Sequence, residues 1–176
     1  MISRAYILLN LKVVFLFLFI FPCHGLPVYF LVGEIPGTEV LYDSYVLSLS
    51  EEADIQHARD LIQFGPEIGD AIVVASIAEG ADGINRNWLA QGAPEWSWHV
   101  TEFLGFAWAT IEILDGSPTI VEEDIDWWMQ NTGGKIGFWG YTIIAELPQV
   151  PEPSQITVGF AGFIAVAVIL FTRRKY

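Results

Sequence analysis

The chain has 176 residues, 21 carboxylates against eight Lys and Arg, a formal net charge of −13 and a single cysteine, Cys23. This length fits one domain, and one cysteine excludes a disulfide framework. The charge is concentrated between two apolar ends: residues 26–149 carry three cations, Arg59, Arg86 and Lys135, and twenty carboxylates, a net of −17. Such a surface repels phosphates, so nucleic acid is excluded as a partner.

Residues 1–25 read as a signal peptide. Arg4 and Lys12 precede the nine apolar residues Val13–Phe21, and Pro22, Cys23, His24 and Gly25 follow. A cationic start, a short apolar stretch and small residues near a cleavage point are the expected pattern. Cleavage after Gly25 removes Cys23 and leaves the domain to be held by its core alone.

Residues 26–149 then read in order as a globular, acidic, Trp-rich α+β domain, with a small, mostly antiparallel sheet and about two helices. A strand is expected near Val28–Val32. DSYVLSLS, 43–50, alternates Tyr45, Leu47 and Leu49 on one face with Ser44, Val46 and Ser48 on the other. The following segment predicts a helix: Ser50 as cap, Glu51, Glu52 and Asp54 in the first turn, Gly65-Pro66 as stop, and a stripe of Ile55, Ala58, Leu61 and Ile62. Ala71–Ala78 predicts a buried strand, and 79–95 a loop.

PEWSWHVTEF predicts a strand with Trp96, Trp98 and Val100 on one face and Ser97 and His99 on the other. FAWATIEILDG predicts a further strand with Ala107, Ala109, Ile111 and Ile113 aligned. TIVEEDIDWWMQNTGG predicts one helix opened by a Thr119/Glu122 capping box and ended by Gly133-Gly134. IGFWGYTIIAEL predicts the last strand, with Trp139, Tyr141, Ile143, Ala145 and Leu147 in line.

The C-terminal residues 150–176 predict a transmembrane helix over 156–171, sixteen residues without a charge, followed by the basic stop Arg173, Arg174 and Lys175. At ~1.5 Å per residue that helix is about 24 Å long, slightly short of a ~30 Å hydrocarbon core, and cations that snorkel make up the difference. The cations place the C-terminus in the cytoplasm and the domain outside. Pro151, Glu152 and Pro153 form an extended, accessible stretch ahead of the span. A permanently anchored bitopic membrane protein is one alternative that these parts leave open.

The same three parts in order, VPEPS at Val150–Ser154, the short span and the terminal Arg-Arg-Lys, resemble the PEP-CTERM sorting signal. That resemblance implies a Gram-negative exported protein, an exosortase as partner, and processing near Pro151-Glu152-Pro153. It also implies a membrane-anchored stage, then the envelope surface or an exopolysaccharide and biofilm matrix. The central segment, roughly 28–147, has its own resemblance. Its DIQHARDLI helix, N-x-N-W loop, W-S-W-H, IEILDG-x-P-x-x-VEE and W-x-Y-T motifs resemble the N-terminal domain of a eukaryotic calmodulin-binding protein. This implies no catalytic residues, and the calmodulin link is not carried over to an exported bacterial chain.

Few residues suggest chemistry. His99, with Glu102 and Asp115 near it in sequence, is the one candidate general base for a small extracellular hydrolase. The plainer reading is a sheet histidine bonded to a neighbour. No G-x-S-x-G, H-E-x-x-H or cysteine nucleophile accompanies it. Asp82, Asn85 and Asn87 are oxygen donors a cation would accept, but without EF-hand spacing they read first as turn residues. Glu122, Glu123, Asp124 and Asp126 read as charges at a helix start. Seven tryptophans are many for this size. Most read as core; Trp96, Trp98, His99 and Trp127 are the candidate ligand-binding set, for stacking on an exopolysaccharide. Adjacent Trp127 and Trp128 cannot both face inward on one helix. No cofactor is expected. The reading is an exported, non-catalytic protein that binds glycan or cation.

Overall fold

A computed structural model describes residues 26–148. The expected signal peptide, sorting motif, transmembrane helix and basic stop lie outside the described residues. Among the described residues, no helix is long and apolar enough to cross a membrane.

The domain is α+β, with two three-stranded antiparallel sheets in place of the single sheet expected. The first has the order β2-β1-β6, from β1 (Val28–Glu34), β2 (Ser44–Leu49) and β6 (Tyr141–Glu146). The second has the order β4-β3-β5, from β3 (Ile72–Glu79), β4 (Trp98–Ala107) and β5 (Lys135–Ile136). Three helices join them: α1 (Glu52–Phe64), α2 (Pro118–Glu123) and α3 (Ile125–Asn131). One core is shared by both sheets and the helices. Phe30, Tyr45 and Leu47 meet Val73, Ala75, Trp98 and Ile136, with Ala58 and Leu61 of α1 and Trp128 of α3 against them.

The sequence pattern and the structure part at several places along the chain. Helix α1 begins at Glu52 with Glu51 as its N-cap, not Ser50, and no side chain caps it. Its stripe Ile55, Ala58 and Leu61 is buried, but Ile62 is exposed at the edge of the stripe.

The strand expected after Phe106 does not form. Strand β4 stops at Ala107, the partner of Ile72, where β3 begins. Beyond that point no strand offers a ladder, so alternation alone cannot hold an extended chain. Residues 108–111 run as a loop into a short 3-10 turn at Glu112–Leu114.

The expected single helix over 119–134 is two. Ser117 is the first N-cap, its Oγ accepting from the Ile120 N–H at 3.2 Å with Pro118 next. Asp124 is the second, with φ −150° and its Oδ1 accepting from the Trp127 N–H at 3.0 Å. A short acidic side chain thus competes with the helix backbone and restarts it. The Thr119/Glu122 capping box is therefore replaced, and both side chains are spent elsewhere.

The last expected strand is also two. Ile136 pairs with Ala75 in one sheet, and after Phe138 the chain crosses to pair with β1 in the other. Gly137 permits the crossing, since a Cβ there would lie 2.8 Å from Thr110 Cγ2.

Candidate functional site

The loops between β1 and β2 and between β3 and β4 meet at the start of β2, where buried polar groups fasten them together. Glu34 closes the first loop. Its carboxylate accepts the N–H groups of Val40 at 2.9 Å, Leu41 at 3.0 Å and Tyr42 at 2.7 Å. Burial pushes the Glu34 carboxyl up, but these three donors outweigh it and hold it below the usual carboxylate range. Tyr42 is held in the left-handed region, φ 53°, which a bulky residue adopts only under constraint.

Next in sequence, buried Asp43 accepts the Thr119 N–H at 3.0 Å, the Thr119 hydroxyl at 2.6 Å and the Tyr141 hydroxyl. It ties the start of β2 to α2 and β6. Burial, and then the Asp43 carboxylate beside it, raise the Tyr141 phenol above its ordinary value.

The second loop is anchored by the asparagines of the N-x-N-W motif. Asn85 is buried, accepting from the Val46 N–H at 2.9 Å and donating to the Trp98 carbonyl at 2.8 Å. Asn87 accepts the Ser44 hydroxyl at 3.0 Å and donates to the Tyr42 carbonyl at 3.0 Å. Asp82 accepts the N–H groups of Ile84 and Asn85 at 2.8 and 2.7 Å. The oxygens expected as cation donors are thus occupied by internal donors in a turn. Among the described residues, no group of three or more His, Cys, Asp or Glu side chains is arranged to hold a metal ion.

Held this way, residues 86–93 curl around an open groove of about 380 Å³. Trp88 forms its aromatic wall. The indole N–H donates to the Ile84 carbonyl at 3.1 Å, and the Arg86 guanidinium sits over the ring at 5.9 Å. Arg86 is itself fixed by Glu95 at 3.1 Å. Trp88 is therefore pinned yet 42% exposed. Gln91 also lines the groove, its side-chain amide unbonded among the described residues, and exposed Leu89 adds apolar surface to it. A pinned, open indole beside a free amide, in a groove of this size, can stack on a ring-shaped ligand and hydrogen-bond its edge.

The residues singled out from sequence fare differently. Trp98 is fully buried against Tyr45 at 5.8 Å between ring centroids, so no ligand in solvent reaches it. Trp96 stacks on Trp98 at 6.4 Å and spends its indole N–H on the Ser44 carbonyl at 2.9 Å. Both rings build the core side of the loop anchor. His99 is half-buried and its Nδ1 donates to the Gly80 carbonyl at 2.7 Å. Ser97 turns its hydroxyl to Glu122 at 2.9 Å, so it makes no nucleophile–base contact with His99. Trp127 is 42% exposed and packs edge-on against buried Trp128. It lies on α3, whereas Trp98 and His99 open β4 and Trp96 stands just ahead of that strand.

Sequence alone does not single out Trp88, Arg86 and Gln91, because one tryptophan among seven carries no mark of exposure. The signal present in the chain is the N-x-N-W motif itself, two asparagines able to anchor a turn around an aromatic residue.

The family model of the BP-74 N-terminal domain matches residues 27–150, more than half of the chain. The chain belongs to the BP-74 N-terminal domain family. The match spans both sheets, the Glu34–Asp43 anchor and the Trp88 groove. No curated protein and no solved structure matches the chain.

Proposed function

We propose that this BP-74 N-terminal domain is an exported, non-catalytic glycan-binding module, sorted by its C-terminal segment. The glycan reading rests on one observation: Trp88 is held by its own N–H, by Arg86 and by the loop anchor, yet stays exposed at the rim of an open groove. Sugar rings present C–H faces to such a platform, and pre-organisation lowers the entropy cost of stacking. The net charge of −17 over residues 26–149 favours neutral or amino-sugar polymers and repels uronate-rich ones. The sorting reading rests on Pro151-Glu152-Pro153, the uncharged stretch 156–171 and Arg173-Arg174-Lys175, in that order. Together they give a chain exported through the inner membrane, recognised by an exosortase and released to the envelope surface or an exopolysaccharide matrix.

The glycan reading is tested by titrating the protein with cello-oligosaccharides, chito-oligosaccharides and alginate oligomers while following tryptophan fluorescence. We expect the neutral oligomers to bind, alginate to fail, and Trp88→Ala to weaken binding about tenfold or more. Equal binding by Trp88→Ala, or no response to any neutral oligomer, overturns it. The sorting reading is tested by mass spectrometry of the mature C-terminus. Chains that still end at Tyr176 in cells with an active exosortase overturn it.

A further inference from the structure

The two loops of the anchor are joined through the backbone of one residue, Tyr42. Its side chain is 64% exposed, and its φ of 53° lies in the left-handed region that glycine and asparagine ordinarily fill. The exposed ring gives no reason for that conformation, but both sides of the residue do. On the amide side, the Tyr42 N–H donates to Glu34 Oε2 at 2.7 Å, and the Val40 and Leu41 N–H groups reach the same carboxylate. On the carbonyl side, the Tyr42 oxygen accepts Asn87 Nδ2 at 3.0 Å.

Asn87 carries the contact onward. Its Oδ1 accepts the Ser44 hydroxyl at 3.0 Å and the Leu89 N–H at 3.1 Å, and the Ser44 oxygen accepts the Trp88 N–H at 3.0 Å. Asn87, Trp88 and Leu89 all line the groove. One run of hydrogen bonds thus leads from the buried Glu34 carboxylate at the end of β1 to the residues around the groove. Tyr42 is the joint in that run with a competing conformation, because an L-residue prefers negative φ. A return to negative φ rotates its N–H and its carbonyl relative to each other, so the bonds to Glu34 and Asn87 cannot both be kept.

We infer that Tyr42 is a backbone latch for the Trp88 groove, with Glu34 and Asn87 as the positioning residues that hold it shut. Closed, the latch fixes Asn87 and, through it, Ser44, Trp88 and Leu89. Open, it frees residues 40–42, and the groove loses its fixed geometry. A ligand that fits the fixed groove favours the closed latch, and the closed latch favours that ligand by the same factor. The identity of the ligand rests on the glycan reading; the latch does not.

The test uses the full chain in lipid nanodiscs at neutral pH, read by amide hydrogen exchange and NMR, first without ligand. Asn87→Asp keeps the acceptor oxygen of residue 87 and removes the donor to Tyr42. The N–H groups of Val40, Leu41 and Tyr42 bond to Glu34 and not to Asn87. They are nonetheless expected to exchange about tenfold faster in Asn87→Asp. Glu34→Gln is expected to shift and broaden the Trp88 indole N–H signal. Adding Tyr42→Asn, which tolerates the left-handed backbone, is expected to restore that signal. Amides of β3 are expected to exchange as in the wild type throughout. Unchanged loop amides in Asn87→Asp, an unmoved indole in Glu34→Gln, or no rescue by Tyr42→Asn overturns the latch. So does equal acceleration of loop and β3 amides, which is ordinary loss of stability. With chitohexaose as probe, binding is expected to slow the amides of residues 40–42, and Asn87→Asp to weaken binding about fivefold. Chitohexaose that binds without slowing these amides overturns the latch. Chitohexaose that binds neither form counts against the glycan reading, and the ligand-free measurements then decide the latch alone.

Discussion

The carboxylate of Asp43 accepts the phenolic hydroxyl of Tyr141 across 98 positions of sequence, with both side chains buried. The same carboxylate holds the Thr119 N–H and hydroxyl, so one side chain fastens β2, β6 and α2. Asp43→Ala strands the Tyr141 and Thr119 donors together and should cost about 3 kcal/mol in urea denaturation. Tyr141→Phe should cost less, about 1–2 kcal/mol, because Thr119 still satisfies the carboxylate. The double variant should be less destabilised than the sum of the two, and strict additivity would contradict the shared network.

Acid should release the loop closed by Glu34. Its folded pKa lies below the ordinary value of 4.5, so its contribution is full above that pH and is lost as pH falls through the depressed folded value. Glu146, lowered first by its hydrogen bond to Arg59, adds in the same direction, with both partners largely exposed and the pair accordingly screened. A melting-temperature profile should therefore decline below about pH 4.5, and Glu34→Gln should flatten the decline.

At the alkaline end the sign reverses. Burial raises both Tyr45 and Tyr141 above the ordinary 10.0, so the folded state keeps their protons. Their contribution is complete below pH 10.0 and is lost as pH rises beyond it. Tyrosinate absorbance at 295 nm should show these residues ionising only with unfolding, and Tyr45→Phe should remove part of the alkaline loss of stability.

The tryptophans should divide sharply. Trp98→Ala opens a cavity among Tyr45, Trp96 and the core, and should cost about 3–5 kcal/mol. Trp108 is 82% exposed, and Trp108→Ala should change stability by less than about 0.5 kcal/mol. Comparable losses at both positions in chemical denaturation would contradict the placement of the core.

Gly33 should resist substitution. A Cβ there meets the Ile144 Cδ1 at 2.6 Å, so Gly33→Ala should cost about 1–3 kcal/mol by overpacking. Shortening the partner should relieve the clash: Gly33→Ala with Ile144→Val should be more stable than Gly33→Ala alone. A double variant no better than the single would place the cost in the backbone.

How far the sequence could be read follows from what each element depends on. Strands β1, β2 and β3, helix α1 and the burial of Tyr45, Leu47, Ile55, Ala58 and Leu61 were legible, because local periodicity matches the face each element buries. The burial of Trp128 and the exposure of Trp127 were legible as an alternative, since neighbours on a helix point apart. By itself the sequence determined the acidic domain flanked by apolar ends, the α+β class and the lack of any disulfide within residues 26–149.

Only the tertiary structure decided where β4 ends, since that depends on where its partner β3 begins. It alone split the last strand between two sheets, because the crossing at Gly137 depends on the close approach of Thr110. It also left Trp88 exposed in a groove and buried Trp98. The placement of the Trp88 indole depends on the Ile84 carbonyl that accepts its N–H and on the Ser44 hydroxyl that accepts its backbone N–H, and the burial of Trp98 on the distant Tyr45 that covers it. Local composition encodes the first kind of information. Contacts between residues far apart in the chain are set by packing and closure, and these appear only when the chain is folded.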